Sequence, residues 1–165
     1  MAEEKNIVDL TGKTKKIACL GCAREKGEID LGNITKSEYF DAHQDYEIPI
    51  PGFVIISSRR HIQSIDEFTE DEQGDFIKFL CRMRSAMRKV LGIETIYLFQ
   101  SEDTIHHFHV WLIPRYDWMT EKFGRKIESV RPIVNYSKEF LRTESGIAEV
   151  KEATQKLKQF FSSDK

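Results

Sequence analysis

The chain of 165 residues has no run approaching 18 consecutive apolar residues, which leaves no segment able to cross a membrane as a helix. Its opening stretch, Met1 to Leu10, is acidic and lacks the apolar core of a secretory leader. A soluble, cytoplasmic protein with no membrane partner is therefore expected. Excess charge of one sign is also missing: 25 Lys and Arg stand against 27 Asp and Glu, a formal net charge of −2. Non-specific binding of a nucleic-acid polymer needs a basic field, so that class is not expected, and any phosphate must be recognised by local groups. There are only four prolines and nine glycines, and no Pro/Gly/Ser-rich linker, repeat or low-complexity stretch divides the chain. With 40% hydrophobic and 32% charged residues the composition is that of one ordinary globular domain. Three cysteines are too few for a disulfide framework, and in an intracellular chain they favour a metal or redox role.

What the chain does have is an uneven placement of Cys and His. Cys19 and Cys22 form a CxxC, and His106, His107 and His109 fall within four residues. Residues 1 to about 16 are polar and lysine-rich and are expected to be a flexible lead-in. Gly12-Lys13-Thr14 looks like the end of a phosphate-binding P-loop, but Ile7 stands where that motif needs glycine, and no apolar strand precedes it. Tyr39 to Gln44 and Phe53 to Ser57 are β-prone runs separated by Pro49, Pro51 and Gly52, a pattern that predicts an antiparallel pair. Thr69 and Glu72 make a capping box that opens a long helix with the apolar stripe Phe76, Leu80, Met83, Met87 and Val90, stopped at Gly92. Cys81, on that helix, is expected to pack. Glu94 to Gln100 and His106 to Ile113 lie a hairpin's loop apart, and Pro114 closes the second run. The remaining residues are predicted to be helical, ending in an amphipathic helix marked by Ile147, Val150, Leu157 and Phe160.

Alternation along His107-Phe108-His109-Val110-Trp111-Leu112 puts His107, His109 and Trp111 on one strand face and Phe108, Val110 and Leu112 on the other. His106 faces away from His109 on an ideal strand and, like His43, is assigned to packing or to support of the site. The run from His107 to Arg115 resembles the histidine triad (HIT) superfamily, whose strand reads His-φ-His-φ-His-φ-φ, often followed by Pro-Arg; Trp111 replaces the third histidine. Gly52 to His61 is similar to the family's Gly-His-x-Leu-Val-Ile-Pro-Lys-x-His block, with Ser58 where proline is usual.

The resemblance covers about residues 17–115, a nucleotide-binding domain, and leaves 116–165 as a helical extension packed on it. It implies an α+β fold: an antiparallel sheet of about five strands, one long helix across it and extra C-terminal helices. It further implies a nucleotide hydrolase or nucleotidyltransferase acting at the α-phosphate of a nucleoside or dinucleoside polyphosphate, with a covalent nucleotidyl-histidine at His109. The backbone carbonyl of His107 would hold the reactive tautomer, and Trp111 would stand beside the leaving group with an N–H donor and no titratable group. Asp45 matches a ribose-binding carboxylate, a solvated turn residue being the alternative; Thr104 and Gln100 match groups facing the nucleotide. Asp103 near the phosphates calls for altered polyphosphate binding or a divalent cation carried with the nucleotide. His61 follows Cys22 by 39 residues, a spacing similar to that of zinc-bearing relatives. Those relatives imply a structural Cys2His2 zinc on Cys19, Cys22, His61 and His107, where two small buried thiols would be the alternative. A homodimer is implied as well, and Tyr116, Trp118 and Arg125 are candidates either to cover a nucleotide or to pack. The competing class is a non-catalytic nucleotide-binding module in which Trp111 and Asp103 mark lost chemistry.

Overall fold

The structure, a computed structural model, describes residues 4–9, 12–29, 32–45, 47–103 and 107–163. Strands β1 (Lys5–Val8) and β2 (Thr14–Ile17) pair antiparallel as a small separate sheet, so the stretch expected to be a lead-in carries a hairpin. Its turn is tied by the Asp9 carboxylate, which accepts the Lys13 N–H at 3.0 Å. Helix α1 (Leu20–Glu25) follows, and then strands β3 (Asn33–Lys36), β4 (Phe40–Gln44) and β5 (Val54–Ser58). The long helix α2 (Glu70–Leu91) leads to β6 (Ile96–Phe99) and β7 (His109–Pro114), and the chain ends in α3 (Asp117–Phe123), α4 (Val130–Phe140) and α5 (Glu144–Ser163). The main sheet has the order β3-β4-β5-β7-β6 and every pairing is antiparallel, which is the α+β architecture expected.

Each face of this sheet buries a different core. On one, Phe40, Val54, Ile56, Val110 and Leu112 meet Phe76, Phe79, Met83 and Met87 of α2, together with Leu157 and Phe161 of α5. The rings of Phe68 and Phe108 lie 4.8 Å apart within this core. Phe161 rather than Phe160 turns fully inward on the last helix. Cys81 does not pack: it is exposed on the outer side of α2. On the opposite face Phe53, Ile113, Met119 and Ile133 form a second core, covered by α3 and α4.

Helix α2 begins and ends as its sequence dictates. The Thr69 hydroxyl accepts the Glu72 N–H, the Glu72 carboxylate accepts the Thr69 N–H, and Gly92 caps the far end with φ 66°. Glu72 has a second task, because it also receives Arg60 in a two-pronged pair, Nε to Oε1 at 2.5 Å and Nη2 to Oε2 at 2.8 Å. That pair fastens the segment carrying His61 to the start of α2. Arg60 holds the Glu72 carboxyl down at about 2, against an ordinary value of 4.5. The folded state gains from its ionisation above about pH 4.5, and the gain disappears as pH falls toward 2. Glu72→Gln is expected to cost about 1–2 kcal/mol at pH 7 by urea unfolding. The difference from wild type should shrink steadily as the pH is lowered from about 4.5.

Candidate functional site

Helix α1 starts on a cysteine. Cys19 is its N-cap and accepts the Cys22 N–H at 3.5 Å, so the CxxC is built into a helix start that turns both thiols to one side. Two histidines from the main-sheet region meet them. Cys22 Sγ is 3.3 Å from His61 Nδ1 and 3.6 Å from His107 Nδ1; Cys19 Sγ is 3.6 Å and 3.4 Å from the same two nitrogens. All four ligand atoms lie within 4.8 Å of one another. Metal bonds of about 2.3 Å to sulfur and about 2.0 Å to nitrogen would place tetrahedral S and N ligands about 3.5 Å apart, so the spacing suits zinc.

Two further features fit that set. His107 Nε2 lies 2.5 Å from the Ser58 carbonyl, which can only accept; Nε2 therefore carries the proton and Nδ1 presents its lone pair to the sulfurs. Gly21, inside the CxxC, makes room for the ring, since a Cβ there would stand 2.5 Å from His107 Cγ. Burial lowers the pKa of His107 and raises that of Cys22, favouring the neutral form of each. A cation between the sulfurs would reverse that preference at the thiol.

Next along the chain, His109 Nδ1 lies 3.0 Å from the carbonyl of His107. By the same reasoning Nδ1 bears the proton, and in the neutral ring the lone pair is on Nε2. Cross-strand register sets Asp41, Ser57 and His109 in one row on a single sheet face, and His43, Ile55, Trp111 and Phe99 in the next. Trp111 is half-buried, its ring edge-on to Phe53 at 5.4 Å, 5.8 Å from Phe99 and 6.2 Å from His109.

The other sequence candidates fall around this face. Asp45 is buried, not solvated: Oδ1 accepts the N–H groups of Glu47 at 2.8 Å and Ile48 at 2.7 Å, and burial raises its pKa to about 6. Gln100 is exposed and donates to Glu102, and Asp103 takes the Ser101 hydroxyl. Thr104 and His106 lie outside the described residues. Tyr116 donates to the Pro51 carbonyl at 2.7 Å and Trp118 packs against Phe123 and Tyr136, so both serve the core of the extension.

A buried ionic group was not foreseen. Arg24 of α1 places Nε 3.0 Å and Nη2 2.8 Å from Asp41 Oδ1, and His43 Nδ1 reaches the same oxygen at 2.9 Å. Burial, reinforced by Arg24, lowers His43 to about 4, so its ring is neutral. Asp41 stays below the ordinary carboxylate value despite its burial, because His43 and Arg24 outweigh it. The available signal was Asp41-x-His43-x-Asp45, three polar residues on alternate positions of one strand.

The extension contributes one strained loop. Lys126 has φ 80° and ψ 169°, a backbone region almost confined to glycine. Its N–H donates to the Tyr97 hydroxyl at 2.9 Å, while Arg115 holds the Gly124 carbonyl at 2.8 Å and lies 4.9 Å over the Tyr97 ring. The side chains of Arg125 and Lys126 are exposed and form no ion pair among the described residues.

Residues 26–118 match the family model described as the HIT domain. An uncharacterized HIT-like protein of Methanocaldococcus jannaschii is 26% identical over 113 residues, 64% of this chain and 87% of that protein. Among solved structures, a zinc-bound histidine triad family protein from Mycobacterium smegmatis superposes with a TM-score of 0.60 at 17% identity, over 88% of this chain and 96% of that one. A Hit-like protein involved in cell-cycle regulation from Bartonella henselae gives a TM-score of 0.59 at 16% identity, over 86% and 95%. The two structures share the fold, and the match to the family model, which takes in His61, His107 and His109 and more than half of the sequence, makes this chain a member of the HIT family.

Proposed function

We propose that the protein cleaves a phosphoanhydride at the α-phosphorus of a nucleoside or dinucleoside polyphosphate, with His109 as the nucleophile. The observation that carries this reading is the hydrogen bond from His109 Nδ1 to the His107 carbonyl, which in the neutral ring leaves the lone pair on Nε2. Nε2 forms a bond to phosphorus as the bond to the bridging oxygen breaks, and that oxygen departs with its electron pair. Water or another hydroxyl then displaces the imidazole, and its proton passes to solvent. Asp45, ionised above about pH 6, accepts from the ribose hydroxyls. Gln100 and Thr104 face the nucleotide, and a divalent cation carried with it offsets Asp103.

Trp111 stands in the place of a third histidine and can donate one hydrogen bond but no proton. The leaving group must then depart without general-acid help, which favours phosphates of low pKa over amines. His107 supports this chemistry from the metal side. Zinc on Cys19, Cys22, His61 and His107 would have no open position, so it would supply rigidity, tying α1 to the strand that carries His109. The zinc-bound state of the Mycobacterium smegmatis protein supports the same assignment. Two chains pair through the edge strand β6 and the long helix α2, on which Leu98 and Ile77 are 54% and 57% exposed. The extension is part of the same unit, and a cytoplasmic location suits a nucleotide substrate.

Protein purified without a histidine tag should hold close to one zinc per chain. Cys19→Ser should retain less than about half an equivalent, and Gly21→Ala should release the metal to a weaker chelator than wild type does, because the added methyl displaces His107. Light scattering should give the mass of a dimer, and Leu98→Lys that of a monomer. Acid-quenched reactions with a labelled dinucleoside polyphosphate should trap a covalent adduct that is absent in His109→Ala, with cleavage faster than that of an adenosine phosphoramidate. Nucleotide binding without an adduct would instead mark a binding module.

A further inference from the structure

Beside His109 on the sheet stands a small polar residue that the metal cluster, the two cores and the Asp45 carboxylate leave without a task. Ser57 of β5 is the register partner of His109. On the other side the paired register of β6 stops at Phe99, opposite Trp111, so among the described residues Ser57 is the one cross-strand partner of His109. Their side chains share a face, and the ladder fixes how closely they stand. The Ser58 N–H donates to the Phe108 carbonyl at 3.2 Å, which makes Ser58–Phe108 a hydrogen-bonded pair. Hydrogen-bonded and non-hydrogen-bonded pairs alternate along an antiparallel ladder. Ser57–His109 is therefore a non-hydrogen-bonded pair, the close kind, with α-carbons about 4.5 Å apart.

The partner of Ser57 on its other side is Asp41 of β4, and there the spacing is the wider one. In that ladder the Arg59 N–H reaches the Tyr39 carbonyl at 2.8 Å and the Asp45 N–H the Phe53 carbonyl at 2.9 Å. By the same alternation Asp41–Ser57 is a hydrogen-bonded pair, with α-carbons about 5.5 Å apart. Ser57 thus stands nearer to His109 than to Asp41. The carboxylate is already served: its Oδ1 takes Arg24 at 3.0 Å and 2.8 Å and His43 at 2.9 Å, and no hydrogen bond joins it to Ser57. Ser57 itself is only 5% exposed, and its hydroxyl makes no hydrogen bond among the described residues. A buried hydroxyl without a partner is unfavourable, and this one lies on the sheet face from which a substrate reaches His109.

We propose that Ser57 is a further catalytic residue whose hydroxyl donates to a non-bridging oxygen of the α-phosphate, a role that rests on His109 as the nucleophile. When Nε2 bonds to phosphorus, the other oxygens on that phosphorus spread over the residues beside His109, and Ser57 is the neighbour that the ladder sets closest. Charge is carried on those oxygens in the transition state, and a donor fixed in place beforehand stabilises it without reorganising. Ser57 keeps its proton throughout, and the bonds that form and break are those of the first step above. The buried ionic group acquires a purpose in this arrangement. By satisfying Asp41, Arg24 and His43 leave the Ser57 hydrogen for the phosphate and offset a negative charge that would repel it.

Single-turnover formation of the covalent adduct from a labelled dinucleoside polyphosphate tests this role. Ser57→Ala should slow the adduct about tenfold or more, with zinc content and urea midpoint as in wild type. Ser57→Thr, which keeps the hydroxyl, should come within about threefold of wild type. Ser57→Val, of the same shape without the hydroxyl, should be as slow as Ser57→Ala. A change of packing alone would not alter stereochemical preference, so α-phosphorothioate substrates give a separate readout. Sulfur accepts a hydrogen bond poorly, and wild type should prefer the diastereomer that turns oxygen toward Ser57. Ser57→Ala should reduce that preference about threefold or more. Adduct formation in Ser57→Ala within about twofold of wild type, equal rates in the Thr and Val variants, or an unchanged diastereomer ratio would overturn the role of Ser57. With a wild-type adduct present, any of these results leaves His109 as the nucleophile, whereas no adduct in wild type would overturn both assignments.

Discussion

His107 is held at three points, and the arrangement of the site depends on them. Its Nε2 is fixed by the Ser58 carbonyl, its Nδ1 faces the sulfurs of Cys19 and Cys22, and its own carbonyl accepts the proton of His109 Nδ1. One residue therefore joins β5, α1 and β7, and carries the constraint from a metal-ligand cluster to the ring nitrogen that would do chemistry. A carbonyl can only accept, so each of these hydrogen bonds puts a proton on the ring nitrogen that faces it. The Gly21 gap is the matching requirement in the backbone: without it the ring could not enter between the cysteines.

The sheet separates stability from chemistry by its two faces. The face with Phe40, Ile56, Val110 and Leu112 is closed by α2 and α5 and has no polar task. The other face holds His109 near its middle, with apolar packing only at the far end, where α3 and α4 cover Ile113 and Phe53. Trp111 stands at the border, touching Phe53 on the packed side and His109 on the open side. Arg24, Asp41 and His43 are the exception, a buried ionic group on the face that holds His109. Its burial costs desolvation, which Arg24 and His43 offset by converging on one carboxylate oxygen.

Much of this was legible in the residues alone. Period-two alternation around His109 separated core from site, the Thr69–Glu72 box located α2, and the resemblance to zinc-bearing HIT relatives named all four members of the cluster. Less legible were features that depend on contact rather than pattern. The β1–β2 hairpin has little apolar alternation, and the Asp9 carboxylate that accepts the Lys13 N–H at its end is a contact no pattern announces. Cys81 sits at a stripe-like position, yet the helix rotates it outward while Phe79 and Met83 turn in. For Asp45 a solvated turn residue was the alternative to a ribose-binding carboxylate, but the side chain is buried and accepts the N–H groups of Glu47 and Ile48, contacts that no local pattern announces. The Arg24–Asp41 pair joins residues 17 apart on different elements, and no local rule connects them.

The chemistry of the site turns on one proton. Nitrogen-15 NMR of the imidazole rings in the zinc-loaded protein near neutral pH reads the tautomer of His109 directly. The structure requires a protonated Nδ1 and an unprotonated Nε2. A proton on Nε2, with Nδ1 bare, would contradict the hydrogen bond to the His107 carbonyl and with it the assignment of His109 as the nucleophile.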